Sequence, residues 1–356
     1  HDVAVEPVLP SPRAFGYRNK MEFSFAPRWL EADELASPEP ADRFGAGLHV
    51  RGRFDRVVNV DPCHLFPAWG SEVLAITREL AAATGLPAYS TRTHSGTWRF
   101  LVVRDGVHTG DRMVLLITHP DDPKGRVARL LDSLRARTSH LGITSLLHGT
   151  SAGKAQVAVS EALRVVDGNP CIHERVLDTR FRIGPNTFFQ TNTLGAEALF
   201  SEAIRRGAFR EDERVWDLYC GAGAISLPLA RQVRGVVGVE LVPEAIAAAR
   251  QNAMDNGIEN VSFLAGDVLD LYAELPPPDA VVVDPPRDGV HPRVLEAIVQ
   301  AAPRRVVYVS CNPATFARDL AILAERGYHA DSVLPVDMFP HTAHVECVTV
   351  LSPRGV

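Results

Sequence analysis

The sequence predicts two domains, an α+β domain followed by an α/β domain with a mostly parallel sheet. After residue 182, short valine-rich runs alternate with helix-like stretches, which is the pattern of parallel strands covered by helices on both faces. Before that residue, short strands and turns are mixed with two helix-like stretches, which is typical of an antiparallel arrangement. The length of 356 residues also exceeds that of one ordinary domain. We therefore expect domains at 1–185 and 186–356.

The first domain is predicted from strands joined by polar turns. Residues 1–12 are rich in proline and predict an extended lead-in. Apolar residues recur at helical spacing in two stretches, 67–84 and 123–139. Strands are predicted at 21–25, 45–50, 99–104 and 112–118, and a hairpin-like connection at 105–110 joins the last two.

The second domain is predicted from strands and helices that follow one another regularly. Apolar strands are expected at 214–220, 236–240, 261–265, 280–284 and 306–310. The intervening helices are expected at 224–232, 243–256, 292–301 and 313–325. Two last strands are expected at 329–336 and 344–351, and residues 337–343 connect them.

The charge is distributed unevenly along the chain. The net charge of −6 at pH 7, taken alone, argues against a nucleic-acid partner. Residues 1–180 nevertheless carry a net charge of +1, and residues 181–356 carry −7. Basic residues form two groups in the first domain, Arg13, Arg18, Lys20 and Arg28, then Arg43, Arg51, Arg53 and Arg56. These groups predict a surface that binds nucleic-acid phosphates, and the alternative is a solvated surface.

Two further observations limit the class of protein. No apolar run approaches the ~20 residues of a membrane span, and the first residues show no signal-peptide pattern. The five cysteines are odd in number, and no two of them have the CxxC spacing. This pattern disfavours a disulfide framework and a zinc site, and it predicts a reducing, cytoplasmic location.

The loop after the first strand of the second domain predicts a cofactor site. Residues 217–223 (DLYCGAG) place Gly221 and Gly223 where a strand turns into a helix, so that the backbone can approach a ligand closely. Glu240 ends the second strand, about 20 residues further on, where an acid suits the hydroxyl groups of a ribose. NAD and S-adenosylmethionine both contain such a ribose.

Two details favour S-adenosylmethionine over NAD. Ser226 stands where a dinucleotide-binding loop would have its third glycine. Asp267 follows the third strand, where methyltransferases commonly place an acid near the adenine. The alternative interpretation of Asp267 is the N-cap of the helix that follows it.

Two strand ends carry side chains that suit covalent chemistry. Asp284 ends the fourth strand, before Pro285 and Pro286, and Cys311 follows the fifth strand. Because ligands of such sheets bind at the carboxyl ends of the strands, both side chains are expected to face the site. Cys311 also precedes a helix start, where positive potential favours the thiolate over an ordinary buried thiol.

A thiolate has a definite use in the methylation of uracil. Uracil C5 is a poor nucleophile until a thiolate adds to C6, and a base must then remove the C5 proton so that the thiolate leaves. Glu346 stands in the last strand among apolar neighbours, where burial is expected to raise its pKa into the range of a useful base. The sequence thus pairs a nucleophile, Cys311, with a base, Glu346.

Together these motifs resemble the RNA uracil-5-methyltransferase family, whose members form 5-methyluridine in tRNA or ribosomal RNA. The resemblance extends from about Phe15 to Leu351. It rests on the blocks 16–20 (GYRNK), 188–192 (FFQTN), 217–223 (DLYCGAG), 284–287 (DPPR), 310–315 (SCNPAT) and 344–346 (HVE). It implies a Rossmann-like, S-adenosylmethionine-dependent methyltransferase domain with an antiparallel last strand, preceded by an RNA-binding domain.

The resemblance also implies the roles of single residues. Cys311 would be the nucleophile and Glu346 the base that takes the proton. The implied cofactor contacts are Gln190, Tyr219, Gly221, Glu240, Asp267 and Asp284. The expected RNA contacts are Phe188, Phe189, Arg18, Lys20, Arg51 and Arg53, and the alternative for the two phenylalanines is the core. We expect a monomer that binds RNA and no membrane or metal.

The sequence departs from the family near its start. Many relatives carry an RNA-binding barrel of the TRAM type before the first block, where this sequence has about 15 residues. Some ribosomal-RNA members hold a four-iron cluster on three upstream cysteines and one later cysteine. Cys63 stands at the place of the later one, and the upstream three have no counterpart in this sequence. We therefore expect no iron–sulfur cluster and an ordinary buried thiol at Cys63.

Three other functions remain open from the sequence. A methyltransferase for amino groups of adenine or guanine would need no cysteine and would have an aromatic residue at the place of Arg287. A C5-cytosine methyltransferase would have a cysteine near Pro285 and Pro286. A non-catalytic RNA-binding or folding factor would have no use for Cys311 and Glu346.

Overall fold

The computed structural model describes residues 3–31, 34, 44–53 and 55–354, and these residues form two compact units. The N-terminal unit consists of Phe15–Glu174 and Ile183–Thr187. The C-terminal unit consists of residues 3–14, Arg175–Arg182 and 188–354. Arg43, which belongs to the second predicted basic group, lies outside the described residues.

The elements up to residue 183 are mostly short strands. In chain order they are β1 (Ala4–Val5), β2 (Lys20–Ala26), β3 (Arg28–Leu30), β4 (Gly45–His49), β5 (Arg56–Val58), α1 (Ala68–Ala83), β6 (Trp98–Asp105), β7 (Arg112–Thr118), α2 (Arg126–Arg137), β8 (Ser145–Thr150), β9 (Ala162–Gly168), β10 (Ile172–Val176) and β11 (Thr179–Ile183). The strands and helices predicted for this part are confirmed, whereas β1, β3, β5 and β8 to β11 were not predicted. Most residues of β9 are exposed, including the apolar Leu163 and Val165.

The elements after residue 183 alternate regularly between helices and strands. They are α3 (Thr193–Gly207), β12 (Arg214–Leu218), α4 (Ser226–Ala230), β13 (Gly235–Glu240), α5 (Pro243–Asp255), β14 (Val261–Ala265), α6 (Val268–Leu271), β15 (Ala280–Val283), α7 (Pro292–Ala301), β16 (Arg305–Ser310), α8 (Pro313–Glu325), β17 (Tyr328–Val336) and β18 (Glu346–Pro353). All the strands and helices predicted for this part are confirmed to within a few residues at their ends. Helix α3 was not predicted.

The N-terminal unit is built on a mixed sheet with strand order β3-β5-β4-β2-β6-β7-β8-β9. Neighbouring strands are mostly antiparallel, and β7 and β8 are parallel. Its core joins apolar residues of the sheet, such as Phe23 and Leu101, to those of the two helices, such as Val73 and Leu131. Burial of these side chains stabilises the unit by the hydrophobic effect.

The C-terminal unit has the sheet of a methyltransferase fold, in the order β1-β17-β18-β16-β15-β12-β13-β14. Strands β12 to β16 pair in parallel, and β18 runs antiparallel to β16 and β17, as predicted. The valines of the central strand β15 are fully buried, because helices cover both faces of the sheet. The carboxyl ends of β12, β13, β15 and β16 therefore meet at one edge.

The two units divide the chain differently from the expected domains 1–185 and 186–356. The lead-in joins the C-terminal unit, where β1 pairs in parallel with the edge strand β17, Ala4 opposite Ser332. The Glu6 carboxylate accepts two hydrogen bonds from Arg206, at 2.6 and 2.8 Å. An open sheet edge offers unpaired backbone groups to any extended segment, which explains how a distant segment is recruited. Residues 175–182 likewise belong to the C-terminal unit.

Candidate active site

A cleft of about 610 Å³ opens at the carboxyl edge of the C-terminal sheet. Its wall is formed by the ends of β12, β13, β15 and β16 and by segments before α3 and β18. Its lining contains most of the predicted site residues, namely Phe188, Phe189, Gln190, Tyr219, Gly221, Glu240, Asp284, Cys311 and Glu346. All nine were expected to bind the cofactor or RNA or to act on uracil, and they come from widely separated parts of the chain.

The glycine loop after β12 has left-handed backbone at two positions, which glycine adopts without strain. Gly221 and Gly223 have φ angles of +54° and +86°. A Cβ atom on Gly221 would meet no atom within 4 Å, whereas one on Gly223 would lie 3.1 Å from the Phe263 ring. Gly223 is thus required for packing beneath the loop, and Gly221 leaves open space for a ligand.

A buried carboxyl group stands at the base of this loop. Asp217 accepts a short hydrogen bond from the Ser226 hydroxyl, and burial raises the pKa of Asp217 to about 7. Its other oxygen, Oδ1, is buried and has no hydrogen-bond partner among the described residues. A buried acceptor without a partner is costly, and Asp217 lines the cleft, so this oxygen suits a cationic donor such as the ammonium group of S-adenosylmethionine.

Glu240 and Asp267 occupy the other side of the glycine loop. The Glu240 carboxylate accepts hydrogen bonds from the backbone N–H groups of Val242 at 2.9 Å and Gly221 at 3.3 Å. Asp267 caps α6 by accepting from the Leu269 N–H at 2.9 Å, as its alternative interpretation proposed. It also lines a second pocket of about 280 Å³, which shares Tyr219 and Glu240 with the main cleft. A nucleoside that extends from the main cleft into the second pocket would lie next to both Glu240 and Asp267.

The register of the last two core strands brings the predicted nucleophile and base together. Ser310 pairs with Cys347 in the antiparallel ladder of β16 and β18. Continuing this register by one residue places Cys311 opposite Glu346, a relation in which Cα atoms are typically ~4.5–5.5 Å apart. Glu346 is 6% exposed, and burial raises its pKa to about 7, as predicted.

The charges around Cys311 differ from the expected ones. Burial, followed by the negative charges of Glu346 and Asp284, raises the pKa of the Cys311 thiol, and Arg287 acts in the opposite direction. Burial, with the nearby carboxylates, also raises the pKa of Asp284 to about 8. The positive potential at the start of α8 therefore does not suffice to favour the thiolate. Cys311, Glu346 and Asp284 are three acidic groups in one partly desolvated site, where burial and like charge both disfavour ionisation.

Arg287 is a cation in the cleft to which the sequence analysis gave no role. Its guanidinium Nη2 lies 3.1 Å from Nδ1 of His344. The Arg287 carbonyl accepts hydrogen bonds from the side chains of Asn312 at 2.9 Å and Thr315 at 3.1 Å. The loop after β15 is thereby tied to the residues directly after Cys311.

A buried carboxylate on α8 holds the next part of the same loop. Asp319 is 0% exposed and accepts hydrogen bonds from the Val290 N–H at 2.8 Å and the Tyr308 hydroxyl at 2.6 Å. The Arg318 guanidinium donates to the Asp288 carbonyl at 2.9 Å. Helix α8 thus positions both Cys311 at its start and the loop that carries Arg287.

The two adjacent phenylalanines have different environments. Phe188 is 77% exposed on the cleft, whereas Phe189 is 6% exposed and contacts the Phe181 ring at a centroid distance of 5.6 Å. Phe189 is thus a core residue that also lines the cleft. Phe339 and His344, which the sequence analysis did not assign, form an edge-to-face ring pair with 6.4 Å between centroids in the cleft wall.

The predicted basic groups are only partly available to a ligand. Arg51 and Arg53 are exposed, and Arg53 lies 3.5 Å from the Asp55 carboxylate. Asp55 also pairs with Arg28 and with Arg56, which is buried. Arg18 and Lys20 are half-buried, and Lys20 pairs with Glu22. Burial lowers the pKa of Lys20.

Several remaining features bear on other classes of protein. All five cysteines are free, and Cys63 is buried. In the part of the chain that the structure describes, no group of three or more potential metal ligands is present. None of the helices in the described ranges is both long and apolar enough to cross a membrane.

The sheet, the glycine loop and the acids at the strand ends define an S-adenosylmethionine-dependent methyltransferase. Residues 209–300 match a general methyltransferase domain family, and residues 264–354 match the tRNA (Uracil-5-)-methyltransferase family. The chain belongs to the RNA methyltransferase family that includes the tRNA (uracil-5-)-methyltransferases, and it is an RNA methyltransferase.

Individual relatives support this assignment over nearly the whole chain. An uncharacterized RNA methyltransferase of Nitratidesulfovibrio vulgaris is 40% identical and aligns with 99% of this chain and 74% of its own. A counterpart from Caldanaerobacter subterraneus is 38% identical over 96% of this chain and 73% of its own. The solved tRNA (uracil-54, C5)-methyltransferase of Pyrococcus abyssi, in complex with S-adenosyl-L-homocysteine, is 29% identical, with a TM-score of 0.76 over 97% of this chain and 78% of that one.

Proposed function

We propose that this enzyme forms 5-methyluridine in ribosomal RNA or tRNA, with Cys311 as nucleophile and Glu346 as base. The observation that carries the proposal is that both residues lie in the wall of the cleft, next to the Ser310–Cys347 pair that ends the β16–β18 ladder. Neither an amino-group methyltransferase nor a non-catalytic RNA-binding factor needs a thiol beside a buried carboxylate.

The cofactor is proposed to occupy the part of the cleft next to the glycine loop. S-adenosylmethionine supplies there an electrophilic methyl group on a sulfonium centre. The residues proposed to hold it are Gln190, Tyr219, Gly221, Glu240, Asp267 and Asp284, together with Asp217. Asp217 offers its unpartnered oxygen to the ammonium group, and Glu240 offers its carboxylate to the ribose hydroxyls.

Cys311 and Glu346 act at the two neighbouring carbons of the pyrimidine. The Cys311 thiolate forms a bond to C6, and the electron pair of the C5–C6 double bond moves toward C5 and O4, which makes C5 nucleophilic. Once C5 carries the methyl group, the Glu346 carboxylate takes the proton from C5. The electrons of that C–H bond restore the C5–C6 double bond, and the thiolate leaves C6.

The RNA is proposed to present a uridine that has left its stack, because a stacked base cannot receive a thiolate on C6. Phe188, exposed at the cleft, is the proposed stacking partner for RNA bases, and Phe189 contributes only its edge to the cleft wall. Arg18, Lys20, Arg51 and Arg53 of the N-terminal unit are proposed to contact phosphates. We propose that the enzyme acts as a monomer in the cytoplasm.

The proposed reaction is tested by locating the transferred methyl group. The enzyme is incubated with S-adenosylmethionine labelled in its methyl group and with bulk tRNA or ribosomal RNA from cells that lack the protein. The labelled nucleoside is then identified and mapped. We expect 5-methyluridine at a defined site in one of the two RNAs. Label on an exocyclic amino group or on cytosine would refute the proposal, and so would no transfer to either RNA.

Replacement of Glu240 by alanine is expected to weaken cofactor binding. Each lost hydrogen bond to a charged group costs about 1.5–3 kcal/mol, which corresponds to roughly ten- to a hundredfold in affinity. Calorimetry with S-adenosylhomocysteine measures the change. Glu240→Gln, which keeps one acceptor oxygen, should lose less. Glu244→Ala removes the same charge from an exposed position at the start of α5 and should bind normally. Equal affinities for all three variants would contradict the assignment.

The rate of turnover is expected to depend on pH through Glu346. Its folded pKa of about 7 lies above the ordinary 4.5, so the group is protonated below pH 7 and cannot accept the C5 proton. Turnover should therefore fall as the pH decreases from 8 to 6. In Glu346→Gln, the pH dependence of covalent RNA adduct formation should reflect only the Cys311 thiol, and the decrease near pH 7 should be absent. If that decrease persists in Glu346→Gln, it arises from another group.

A further inference from the structure

A buried carboxylate in helix α8 contacts the loop after β15, which consists of residues 284–291. Oδ2 of Asp319 accepts hydrogen bonds from the Tyr308 hydroxyl at 2.6 Å and from the Val290 N–H at 2.8 Å. Oδ1 accepts one from Nε of Arg318 at 2.8 Å. A buried carboxylate is costly unless its oxygens have donors, and both oxygens have them here. Asp319 therefore joins the helix, strand β16 and the loop at one point.

The loop is shaped to fit this carboxylate. Gly289 has a φ angle of +76°. A Cβ atom on Gly289 would lie 2.7 Å from Oδ2 of Asp319 and 2.6 Å from Nη2 of Arg318, which is too close for either contact. Nη2 of Arg318 also donates to the carbonyls of Asp288 at 2.9 Å and Val290 at 3.3 Å. The missing side chain at Gly289 thus lets the loop approach the helix, and the hydrogen bonds hold it there.

The same loop carries the cation of the active-site cleft. Arg287 directly precedes the part that Asp319 and Arg318 hold, and the exposed Arg287 side chain lines the cleft together with Cys311. The side chain of an exposed arginine samples many rotamers. A fixed backbone limits the volume that its guanidinium group reaches. The place of the cation relative to Cys311 therefore depends on how firmly the loop is held.

The charged groups that face Cys311 come from β18 and from the end of β15. Burial raises the pKa of the Cys311 thiol, and so do Glu346 and Asp284, whereas Arg287 lowers it. His344, which precedes Glu346 by two residues, contacts the Arg287 guanidinium. Since two carboxylates stand against one guanidinium, the position of that cation governs how readily the thiolate forms.

We propose that Asp319 is a positioning residue for the nucleophile, because it holds the loop after β15 in the conformation that keeps the Arg287 guanidinium close to Cys311. Asp319 does not line the cleft, so it acts through Arg287 rather than on the substrate. The inference rests on the proposed role of Cys311 and extends the machinery of the site to a buried residue outside the cleft.

Asp319→Asn tests the proposal through the reactivity of the Cys311 thiol. The amide keeps one acceptor oxygen and turns a donor either toward Arg318 or toward the other two donors, so one set of hydrogen bonds is lost. The rate of Cys311 alkylation by iodoacetamide is measured against pH, and mass spectrometry identifies the modified peptide. Cys311 is half-buried, and the other four cysteines are buried. We expect the profile to move to higher pH, and a displacement of one unit lowers the rate below the pKa about tenfold.

The direction of the displacement separates positioning from other roles. Loss of the negative charge of Asp319 would by itself favour the thiolate and move the profile to lower pH. Loss of stability alone would lower the melting temperature and leave the profile of the folded enzyme in place. The matched control is Glu325→Gln, which removes the same charge from an exposed position at the end of α8 and should behave like the wild type.

Two further variants test the contact from the loop. Gly289→Ala displaces the loop from Asp319 without a change of charge and should move the profile in the same direction. It decides the question alone if Asp319→Asn does not fold. Arg287→Gln should already show the displaced profile, and Arg287→Gln/Asp319→Asn should show no further displacement, because one residue acts through the other.

The outcomes also separate this inference from the proposed function. An unchanged profile in the folded Asp319→Asn and Gly289→Ala variants would overturn the inference, as would a displacement to lower pH. An effect of Asp319→Asn that adds fully to that of Arg287→Gln would overturn it as well. If Cys311→Ala methylates RNA like the wild type while the alkylation profile of Asp319→Asn is displaced to higher pH, only the proposed role of Cys311 fails.

Discussion

Cys311→Ala is expected to transfer no methyl group to RNA and to form no covalent RNA adduct. Without the thiolate, C5 keeps the low nucleophilicity of an ordinary uracil, so the loss should be on the order of 10⁶-fold, the scale for removal of a catalytic nucleophile. Transfer of labelled methyl to RNA measures the rate. Denaturing gel electrophoresis detects the adduct.

Cys347→Ala is the matched control for this experiment. Cys347 pairs with Ser310 in the same ladder, but it follows Glu346 in the strand and its side chain therefore points to the opposite face. It lines an apolar groove with Phe316 and Leu320, outside the cleft. This variant should methylate RNA like the wild type. Methylation of uracil C5 by Cys311→Ala at a comparable rate would show that another group is the nucleophile.

Glu346→Gln is expected to accumulate a covalent protein–RNA adduct that already carries the new methyl group. Glutamine has the size of glutamate but cannot take the C5 proton, so the thiolate cannot leave C6. Multiple turnover should fall by roughly 10²–10⁴-fold, the contribution of a general base. Replacing the carboxylate also removes a negative charge that raises the pKa of the Cys311 thiol, so addition to C6 should not slow.

The double variant Cys311→Ala/Glu346→Gln provides the control, and its adduct should disappear. His341 and His344 are close to Glu346 in sequence, and either could take the proton in its place. The His344 ring lies against the Arg287 guanidinium, with Nη2 3.1 Å from Nδ1. An adduct without the methyl label would show that Glu346 acts before methyl transfer. An adduct that persists in the double variant would show that another residue forms the covalent bond to RNA.

Much of the active site followed from the order of residues at strand ends. Parallel strands align their carboxyl ends at one edge, so residues directly after a strand converge even when they are far apart in the chain. This rule correctly predicted that Glu240, Asp284 and Cys311 would lie in one cleft. Glu346 followed from a carboxylate among apolar residues, which is rarely buried without a purpose.

The roles of other residues depended on neighbours that no local pattern specifies. Asp217 stood in the glycine-loop motif, but its unpartnered oxygen became visible only with the packing around it. Phe188 and Phe189 are identical in type and adjacent, yet one is exposed and the other buried. The effect of Arg287 on the pKa values of Cys311 and Glu346 became visible only when the structure placed it near them.

The sequence by itself determined the succession of strands and helices, because apolar periodicity and turn residues act over a few positions. It also determined which side chains stand at the ends of the strands. Only the tertiary structure decided that the lead-in pairs with β17, that Cys311 lies next to Glu346 at the end of the β16–β18 ladder, and that burial and the neighbouring carboxylates raise the pKa of the Cys311 thiol. These features depend on segments that are far apart in the chain. Strand pairing, charge–charge interactions and desolvation contribute free energy only once those segments meet and exclude water.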